Sequence, residues 1–478
     1  MKRSNNLVKE NGVLLSLFVG SCLLFYVFYS PPQSFSLRNL NWMQKQMPST
    51  HHIDRTIIPS NSNVDPEKNS IANTTFDDGS ENNEEALSSK PICDYSDWRS
   101  DICYMTGDIR TNGYNNSTIF FVPPADSFVP KEQEWRVNPY SQKMYTYLIN
   151  YVTVKQLQGP QGAPTCTVIM NVPAILLSIG GPSAPGNIWH AFTDVLIPLF
   201  LASKQFGGEV QLLISSYHQD FIDKHSLIIK DLTRYEIINF DEDREVRCYP
   251  QMTVGLLNHR DFGIDPERAF DRFDMYKFRL YIRNTYSLPV DVDIPYKIHD
   301  SLPDKKPRLM LIFRSSTRKF LNKEEIEEAI TTNGFELVQM DLKNGDDLTK
   351  LSKVVDSCDV LMGIHGAGLT NIVFLRTNAV MIQVIPLGGS HMNNAAHGYY
   401  DRPAQEMKLR TIDYTITVEE SSLLDKYGWD HPAVKDPEAV AARGWQDRHK
   451  YYWFEQDVRL NVARFEPVLI EALELLQK

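Results

Sequence analysis

The sequence predicts an α/β protein with two Rossmann-like lobes, preceded by a transmembrane helix and a flexible stem. Three observations lead to this prediction. An uncharged apolar segment near the N-terminus is followed by a stretch rich in Asn and Ser. Short apolar runs then alternate with amphipathic stretches, irregularly at first and regularly after Lys306. Such an alternation of strands and helices is typical of a parallel sheet covered by helices.

The predicted transmembrane helix is residues 12–29, GVLLSLFVGSCLLFYVFY, which are apolar apart from two serines. This segment is long enough to cross the hydrocarbon core of a bilayer. Three basic residues precede it, so the positive-inside rule leaves residues 1–11 in the cytoplasm and sends the remaining chain to the other side. A cleaved signal peptide is the alternative, but the following Pro31-Pro32-Gln33-Ser34 lacks the small-residue cleavage pattern.

Residues 30–90 are predicted to form the stem. From residue 31 to 90, Asn and Ser supply 17 of 60 residues and Pro supplies five. Such a composition cannot bury enough apolar surface to offset the entropy of ordering the chain. Sequons at Asn73, Asn115 and Asn116 predict N-glycosylation, which fits a lumenal location. Because Asn115 and Asn116 are adjacent, we expect a glycan on one of them at most.

The net charge of −11 argues against nucleic acid as a general partner, because binding to phosphates needs a basic excess. Five cysteines follow the membrane segment, so at least one must stay free in an oxidising compartment. Cys358, at the entry to an apolar strand, is predicted to be a buried thiol. The pairing of Cys93, Cys103, Cys166 and Cys248 stays open. No spacing of Cys or His indicates a structural zinc site.

The second lobe is predicted over residues 301–478. Its predicted strands are RLMLIF (308–313), ELVQMDL (336–342), DVLMGI (359–364) and AVMIQVI (379–385). Helices are predicted in KEEIEEAITT (323–332), LTKLSKVVDSC (348–358) and the terminal NVARFEPVLIEALELLQK (461–478). Asn322 and Glu325 have the spacing of a capping box at the start of the first of these helices.

The first lobe is predicted over residues 91–300 and is less regular. The runs AILLSIGG, EVQLLISS and YEIINF are predicted strands. Between the first two, NIWHAFTDVLIPLFLASKQF (187–206) has the apolar stripe of a helix. Pro198 should kink this helix, because it removes a backbone donor.

The first candidate site is the loop His365-Gly366-Ala367-Gly368-Leu369-Thr370-Asn371, which joins a strand to a helix. Glycines let a ligand approach the backbone, and the first N–H groups of a helix attract an anion such as phosphate. A dinucleotide fingerprint is only partly matched, because Asn371 stands at the third glycine position. A tight turn without a ligand is the alternative.

Arg314 and Arg318 follow the first strand of the same lobe, in FRSSTRKFLN. Ligands of parallel α/β sheets bind at the carboxyl ends of the strands, and guanidinium groups suit a diphosphate because they are charged and bidentate. Lys319 is a third, weaker candidate. The capping box explains Asn322 without a ligand.

His190 and Asp194 are four residues apart on the predicted helix 187–206, and Asn187 is placed to cap it. A carboxylate beside an imidazole orients the ring and raises its basicity, which is what a general base needs. An exposed His–Asp pair without a function is the alternative.

Five stretches resemble glycosyltransferase family 61 in their order and spacing: CDYSDWRSDICYMTGDIR, NIWHAFTDVLIPLF, VRCYPQMTVGLLNHRDFGIDP, FRSSTRKFLN and GIHGAGLTNIVFL. The resemblance covers roughly residues 91–478 and is closest to the plant branch that decorates cell-wall xylan. It implies a GT-B-like pair of Rossmann lobes and a single-pass type II protein of the Golgi membrane. It also implies inverting transfer from a UDP-sugar, without a catalytic metal or other cofactor.

Matching motifs imply these site residues: Asn187, His190, Asp194, Arg314, Arg318, His365, Gly366, Gly368 and Thr370. The sequence departs from the family at two places. Many plant members have a carboxylate where this chain has Ala191, and IGGPSAPGN replaces their GGYTGN, which leaves the acceptor open.

The resulting hypothesis is a Golgi enzyme that moves xylose or arabinofuranose from a UDP-sugar to a polysaccharide, xylan in the first place. The loop 365–371 and the two arginines would bind the donor, and His365 would stabilise the leaving group. His190 would take the acceptor proton and Asp194 would orient it, with the reverse assignment open. Gln383 would lie near the ribose.

Three alternatives stay open. The first is a transferase of the same family that acts on an N-glycan or glycoprotein with xylose or N-acetylglucosamine. The second is a metal-dependent GT-A enzyme, which would use Asp241-Glu242-Asp243 or Asp291-Val292-Asp293. The third is a non-catalytic glycan-binding subunit of a synthase complex. The sequence also leaves open which pentose is used and whether the protein forms homo- or hetero-oligomers.

Overall fold

The computed structural model describes residues 92–124, 133–145, 149–180, 186–291, 306–343, 345–388 and 397–477. The predicted tail, membrane segment and stem lie outside these residues, as do the sequon at Asn73 and the boundary predicted at residue 300. Among the described residues, no helix combines the length and the apolar character that a membrane span requires. All of them belong to one unit, Glu84–Lys478.

The first sheet contains ten strands within the described residues and is mixed. Its order is β4-β5-β3-β2-β10-β7-β8-β9, with β1 added to β2 and β6 to β10. The strands are Cys93–Asp94 (β1), Ile102–Asn112 (β2), Thr118–Val122 (β3), Gln133–Val137 (β4), Val152–Gln156 (β5), Val168–Ile169 (β6), Ala174–Ser178 (β7), Gln211–Ser215 (β8), Ile238–Asn239 (β9) and Arg247–Val254 (β10). The run β10-β7-β8-β9 is parallel throughout and therefore Rossmann-like, whereas β2 joins it antiparallel to β10.

The second sheet is parallel throughout and has the order β12-β11-β13-β14-β15. Its strands are Arg308–Phe313 (β11), Glu336–Asp341 (β12), Val360–Ile364 (β13), Val380–Ile385 (β14) and Arg410–Thr415 (β15). The strands and helices predicted after Lys306 are therefore confirmed in position and in direction. The periodic sequence succeeds here because both faces of each strand are covered, as in other parallel sheets.

Helices cover both sheets. The helical segments before β11 are Gly113–Asn116, Ile188–His190, Ala191–Leu196, Ile197–Ser203, Lys204–Phe206, Gln219–Lys224, Ser226–Leu232, Phe240–Glu242, Phe270–Arg272 and Met275–Thr285. Those after it are Lys323–Thr332, Leu348–Asp356, Ala367–Phe374, His397–Asp401, Arg402–Glu406, Val418–Glu420, Ser422–Tyr427, Pro432–Lys435, Pro437–Ala442, Trp445–Arg448, His449–Glu455 and Val462–Gln477. The predicted terminal helix is thus confirmed.

Alternating side chains of the strands enter different layers of the core. On β7, Ile175 packs in a central cluster, whereas Leu176 belongs to a cluster on the other face of the first sheet. On β11, Met310 enters the same central cluster, whereas Leu311 packs on the far face of the second sheet. This alternation follows from the two-residue period of a strand. The two sheets therefore share one central apolar layer.

The cysteines form two disulfides, Cys93–Cys103 and Cys166–Cys248. Cys358 is free and buried, as predicted. The prediction of a capping box at Asn322 is wrong in its contacts. Asn322 occupies the N-cap position, but its side chain makes no capping bond there. Its Nδ2 donates to Glu325 Oε2 at 2.7 Å and to the Leu460 carbonyl at 2.8 Å, because the terminal segment packs against it.

The helix Ala367–Phe374, which we call the loop helix, is fixed to the first half of the chain by two buried arginines. Arg279 donates to the Leu375 carbonyl and Arg283 to the Phe374 carbonyl. These carbonyls end the loop helix, where cationic donors are favourable because of the helix dipole. Arg279 also pairs with Asp291 at 2.6 Å.

Replacement of Asp291 tests this connection. Asp291→Asn leaves the buried Arg279 without its counter-charge, so we expect the free energy of unfolding to fall by about 3–5 kcal/mol. Urea unfolding of the purified protein, followed by tryptophan fluorescence, measures the change. Glu267→Gln is the control, because the Arg272–Glu267 pair is exposed on both sides and should contribute little. Equal stability of the two variants would contradict the proposed importance of Asp291.

Candidate active site

The loop before the loop helix requires glycine at position 366. Gly366 has a φ of +153°, a conformation that side chains disfavour. A Cβ there would lie 2.6 Å from Arg314 Nη1 and 3.0 Å from Arg318 Nη1. The bare backbone thus lets both guanidinium groups pack against it, which confirms that loop and arginines meet at the carboxyl ends of neighbouring strands.

The rest of the predicted donor loop is largely interior. The side chains of Leu369, Thr370 and Asn371 are buried. Thr370 Oγ1 lies 3.4 Å from Tyr400 Oη, and Asn371 Nδ2 donates to the Gly368 carbonyl at 2.8 Å. Together with Ala367, which is half-buried, these residues build the first turns of the loop helix. Any contact of Leu369 with a ligand must therefore come from its backbone.

Close packing of apolar side chains explains why position 368 is a glycine. A Cβ at this position would approach Leu342 Cδ1 to 3.2 Å and Ile312 Cγ2 to 3.3 Å. These are core side chains of the second sheet and not groups that bind a phosphate. A bulky residue at position 368 would thus disturb the loop helix itself, whereas one at position 366 would displace the arginines.

Arg314 and Arg318 have no carboxylate partner within the described residues. Arg314 Nε donates to the Thr317 carbonyl at 2.9 Å, and Arg318 Nη1 donates to the His365 carbonyl at 2.6 Å. Arg318 Nε is buried without a hydrogen-bond partner. Burial, and then the charge of Arg314, lowers the pKa of Arg318 to about 9. Two adjacent, partly buried cations that lack a counter-ion form a site for an anion.

The backbone of Arg318 is itself unusual, with a φ of +52°. Its N–H donates to the Gln456 carbonyl at 3.1 Å, which holds this strained conformation in place. Strain of this kind clusters at functional sites. Lys319 differs from both arginines, because its Nζ lies 3.5 Å from Asp457 Oδ2 and thus already has a counter-charge.

His365 is buried between polar and aromatic neighbours. Its Nδ1 lies 2.7 Å from Gln383 Oε1, and Gln383 Nε2 donates to Asp413 Oδ1 at 2.9 Å. Gln383 is fully buried and committed to these two contacts, so the expected contact with a ribose finds no support. Burial lowers the pKa of His365 to about 4, which keeps the ring neutral at physiological pH.

His190 and Asp194 are paired as their spacing predicts, but the pair is not an exposed one. His190 Nδ1 lies 2.8 Å from Asp194 Oδ2, and Asp194 is 0% exposed. The carboxylate also accepts hydrogen bonds from Tyr140 Oη at 2.6 Å and Gln142 Nε2 at 3.2 Å. Burial and the charge of Asp194 raise the pKa of Tyr140, so this phenol stays a donor. The geometry therefore favours an oriented base over a solvated surface pair.

The helix that carries this pair begins as predicted, with the Asn187 side chain accepting from Trp189 N–H at 3.0 Å. Instead of a simple kink, Pro198 is preceded by a π-helical stretch, Ala191–Leu196. Proline cannot donate to the carbonyls one turn earlier. Two side chains do so in its place: Ser141 Oγ donates to the Asp194 carbonyl at 2.5 Å, and Asn258 Nδ2 donates to the Thr193 carbonyl at 3.2 Å.

An aromatic row connects the two candidate histidines. The Trp189 ring lies 5.0 Å from His190 and 5.3 Å from Tyr399, and Tyr399 lies 6.3 Å from His365. Tyr400 Oη donates to the Gly366 carbonyl at 3.0 Å. Sequence reasoning missed both tyrosines, because neither belongs to a motif or to a periodic segment. The row brings His190 and the predicted donor loop to one site.

The acidic motifs have other partners. Asp241 Oδ2 accepts from Ser216 N–H at 2.6 Å, and Asp243 pairs with Arg247 at 2.8 Å. Asp291 pairs with Arg279, as described above, and also accepts a hydrogen bond from Thr377 Oγ1 at 2.9 Å. Within the described part of the chain, no group of three or more His, Cys, Asp or Glu side chains could hold a metal ion. These contacts give each of the three aspartates a structural explanation.

Comparison with known proteins identifies relatives of this chain. The family model described as Glycosyltransferase 61 matches residues 188–382. The chain is 37% identical over 398 residues to alpha-1,3-arabinosyltransferase XAT2 of Oryza sativa subsp. japonica, covering 83% of this chain and 67% of that protein. It is 38% identical over 401 residues to beta-1,2-xylosyltransferase XYXT1 of the same organism, covering 80% and 84%.

A third relative is the xylan glycosyltransferase MUCI21 of Arabidopsis thaliana, which is 32% identical over 393 residues and is matched over 80% of this chain and 78% of its own length. Each of these three matches covers at least 80% of this chain. The family match contains His190, Asp194, the two arginines and the glycine loop, and the relatives are aligned over most of their length. This chain therefore belongs to glycosyltransferase family 61.

Proposed function

We propose that this protein transfers a pentose, arabinofuranose or xylose, from a UDP-sugar to xylan with inversion of configuration. The observation that carries this proposal is the pair of arginines without a counter-charge at the donor loop, joined to an oriented His–Asp pair by one row of aromatic rings. The relatives add the substrate class, because their names specify arabinosyl, xylosyl and xylan glycosyl transfer.

The diphosphate of the donor would bind Arg314 and Arg318. As the bond to the sugar breaks, negative charge grows on the departing UDP, and two fixed guanidinium groups stabilise it without having to reorganise. They supply the positive charge that a metal ion supplies in other transferases, so we propose a reaction without a metal or other cofactor. Activity that survives EDTA supports this part of the proposal, and activity restored only by a divalent cation contradicts it.

The acceptor hydroxyl would lose its proton to His190. Asp194 holds Nδ1–H of this ring, so Nε2 carries the lone pair that takes the proton. Direct displacement by this hydroxyl on the face opposite UDP inverts the anomeric centre. The decisive assay incubates the purified protein with UDP-arabinofuranose or UDP-xylose and xylan oligosaccharides. Product mass, linkage and anomeric configuration then identify the pentose and the outcome.

The predicted topology belongs to the same proposal, with a cytoplasmic tail at residues 1–11, an anchor in the Golgi membrane at residues 12–29 and a lumenal catalytic part. We expect residues after 90 to resist protease in sealed microsomes and to become sensitive when detergent is added. An antibody against the C-terminus detects the protected fragment. Cleavage without detergent, or a secreted product cut near Ser30, would contradict the anchor.

Loss of either arginine should weaken donor binding. Arg314→Ala and Arg318→Ala each remove a charge-assisted contact to the diphosphate, worth about 1.5–3 kcal/mol of binding free energy. Calorimetric titration with UDP measures the loss. Lys319→Ala is the matched control, because this neighbouring cation is already paired with Asp457. Wild-type affinity in both arginine variants would mean that the diphosphate binds elsewhere.

Loss of the base should lower turnover and not donor affinity. General-base catalysis is worth about a hundredfold to ten-thousandfold, so we expect His190→Ala to lower kcat by that factor while the affinity for UDP stays unchanged. Asp194→Asn should have a smaller effect, because the amide keeps one acceptor for the ring. His218→Ala, another histidine of the first half, is the control. If Asp194→Asn is the more damaging change in a protein shown to be folded by circular dichroism, the two roles must be exchanged.

A further inference from the structure

Three polar side chains form a row across neighbouring parallel strands. Gln383 on β14 stands opposite Asp413 on β15 in the strand register, and His365 directly follows β13. The contacts between these side chains measure 2.7 Å from His365 Nδ1 to Gln383 Oε1 and 2.9 Å from Gln383 Nε2 to Asp413 Oδ1. His365 is 5% exposed and Gln383 is 0% exposed. His365 and Gln383 therefore lie in the protein interior, whereas Asp413 is half-buried.

The two hydrogen bonds of this row run in one direction, from His365 to Gln383 and from Gln383 to Asp413. A carboxylate only accepts hydrogen bonds, so Asp413 turns the amide of Gln383 with its NH₂ group toward itself. The amide oxygen then faces His365 and can also only accept. Consequently Nδ1 of His365 carries the ring proton, and Nε2 is left with a lone pair. Asp413 thus determines, through Gln383, which nitrogen of His365 is protonated.

Nε2 of His365 makes no hydrogen bond to any described residue. Around the ring lie Tyr399, with ring centroids 6.3 Å apart, and Tyr400, at 5.5 Å. Arg318 donates to the carbonyl of the same histidine, so the ring adjoins the anion site. A nitrogen that can only accept cannot bind the oxygen of an ionised phosphate, which also only accepts. It requires a hydroxyl or an N–H group.

We propose that Nε2 of His365 accepts a hydrogen bond from a hydroxyl of the bound UDP-sugar, on the transferred pentose or on the ribose, and that Gln383 and Asp413 are positioning residues for this contact. This inference rests on the proposed function, because it takes a UDP-sugar as the ligand. It assigns the growing charge of the leaving group to the arginines and gives His365 the task of recognising a sugar.

The tautomer can be observed directly. In full-length protein labelled with ¹⁵N-histidine, two-dimensional NMR near neutral pH should show His365 protonated at Nδ1 only, and His365→Asn identifies its signals. Asp413→Asn should convert this single tautomer into a mixture, because an Asn side chain lets the Gln383 amide turn around. A merely structural role of Asp413 would leave the tautomer unchanged. An Nε2-protonated ring in the wild-type protein would overturn the inference.

Ligand binding tests the hydroxyl. Gln383→Met should raise the Kd for UDP-xylose or UDP-arabinofuranose about tenfold, the value of one hydrogen bond. Asp413→Asn should raise it less, by the inverse of the fraction of molecules that keep His365 protonated at Nδ1. If the hydroxyl belongs to the pentose, the Kd for UDP stays within twofold. If it belongs to the ribose, UDP loses affinity as well, and an analogue without ribose hydroxyls does not. Asp341→Asn, at the exposed end of β12, is the control and should match the wild type.

Failure of the inference and failure of the proposed function look different. If the wild-type protein binds UDP-pentose tightly and the variants bind it equally well, including His365→Ala, only the inference is overturned. If the wild-type protein binds no UDP-sugar, the proposed function and the inference are overturned together. Two different substitutions in the row guard against a single variant that does not fold.

Discussion

The buried loop helix is the element on which the arrangement of the site depends. Its side chains pack in the central apolar layer that both sheets share, and its last carbonyls are held by Arg279 and Arg283 from the first half of the chain. Its N-terminal end presents Gly366 to Arg314 and Arg318. The segment Ile188–His190 also contacts it. The glycine loop and His190 are thus positioned against the same short helix.

Four arginines near this helix show two different uses of one side chain. Arg279 and Arg283 are buried and each has a carboxylate within ion-pair distance, so their charge is neutralised inside the protein. Arg314 and Arg318 donate only to backbone and hydroxyl oxygens among the described residues. Leaving charge unpaired in a partly buried place costs free energy. A bound anion would offset that cost, and this contrast supports the proposed donor site.

The sequence predicted what local periodicity and spacing control. These features depend on residues close to one another in the sequence. They are the strands and helices after Lys306, the cap at Asn187, the His190–Asp194 pair and the buried Cys358. Contacts between segments that are far apart in the chain could not be predicted from the sequence. No local pattern encodes the strand register or the packing on which such pairings depend. Examples are the antiparallel strands of the first sheet, the disulfide partners, the contact of Asn322 with Leu460 and the approach of Tyr399 to Trp189. Pro198 lies between these cases. The sequence predicts that it disturbs the helix, but not that the Ser141 and Asn258 side chains donate to the carbonyls left without a backbone donor.

The two histidines of the site differ in the group that holds Nδ1–H, and this difference separates their roles. His190 donates to the carboxylate of Asp194, which can stabilise the imidazolium formed when Nε2 takes a proton. His365 donates to a neutral amide and lies beside two guanidinium groups, so a positive charge on its ring has no compensation. The first environment suits a group that accepts a proton completely, and the second suits one that accepts only a hydrogen bond. Within the proposed function, proton transfer is therefore assigned to His190, and recognition of a hydroxyl is assigned to the neutral ring of His365.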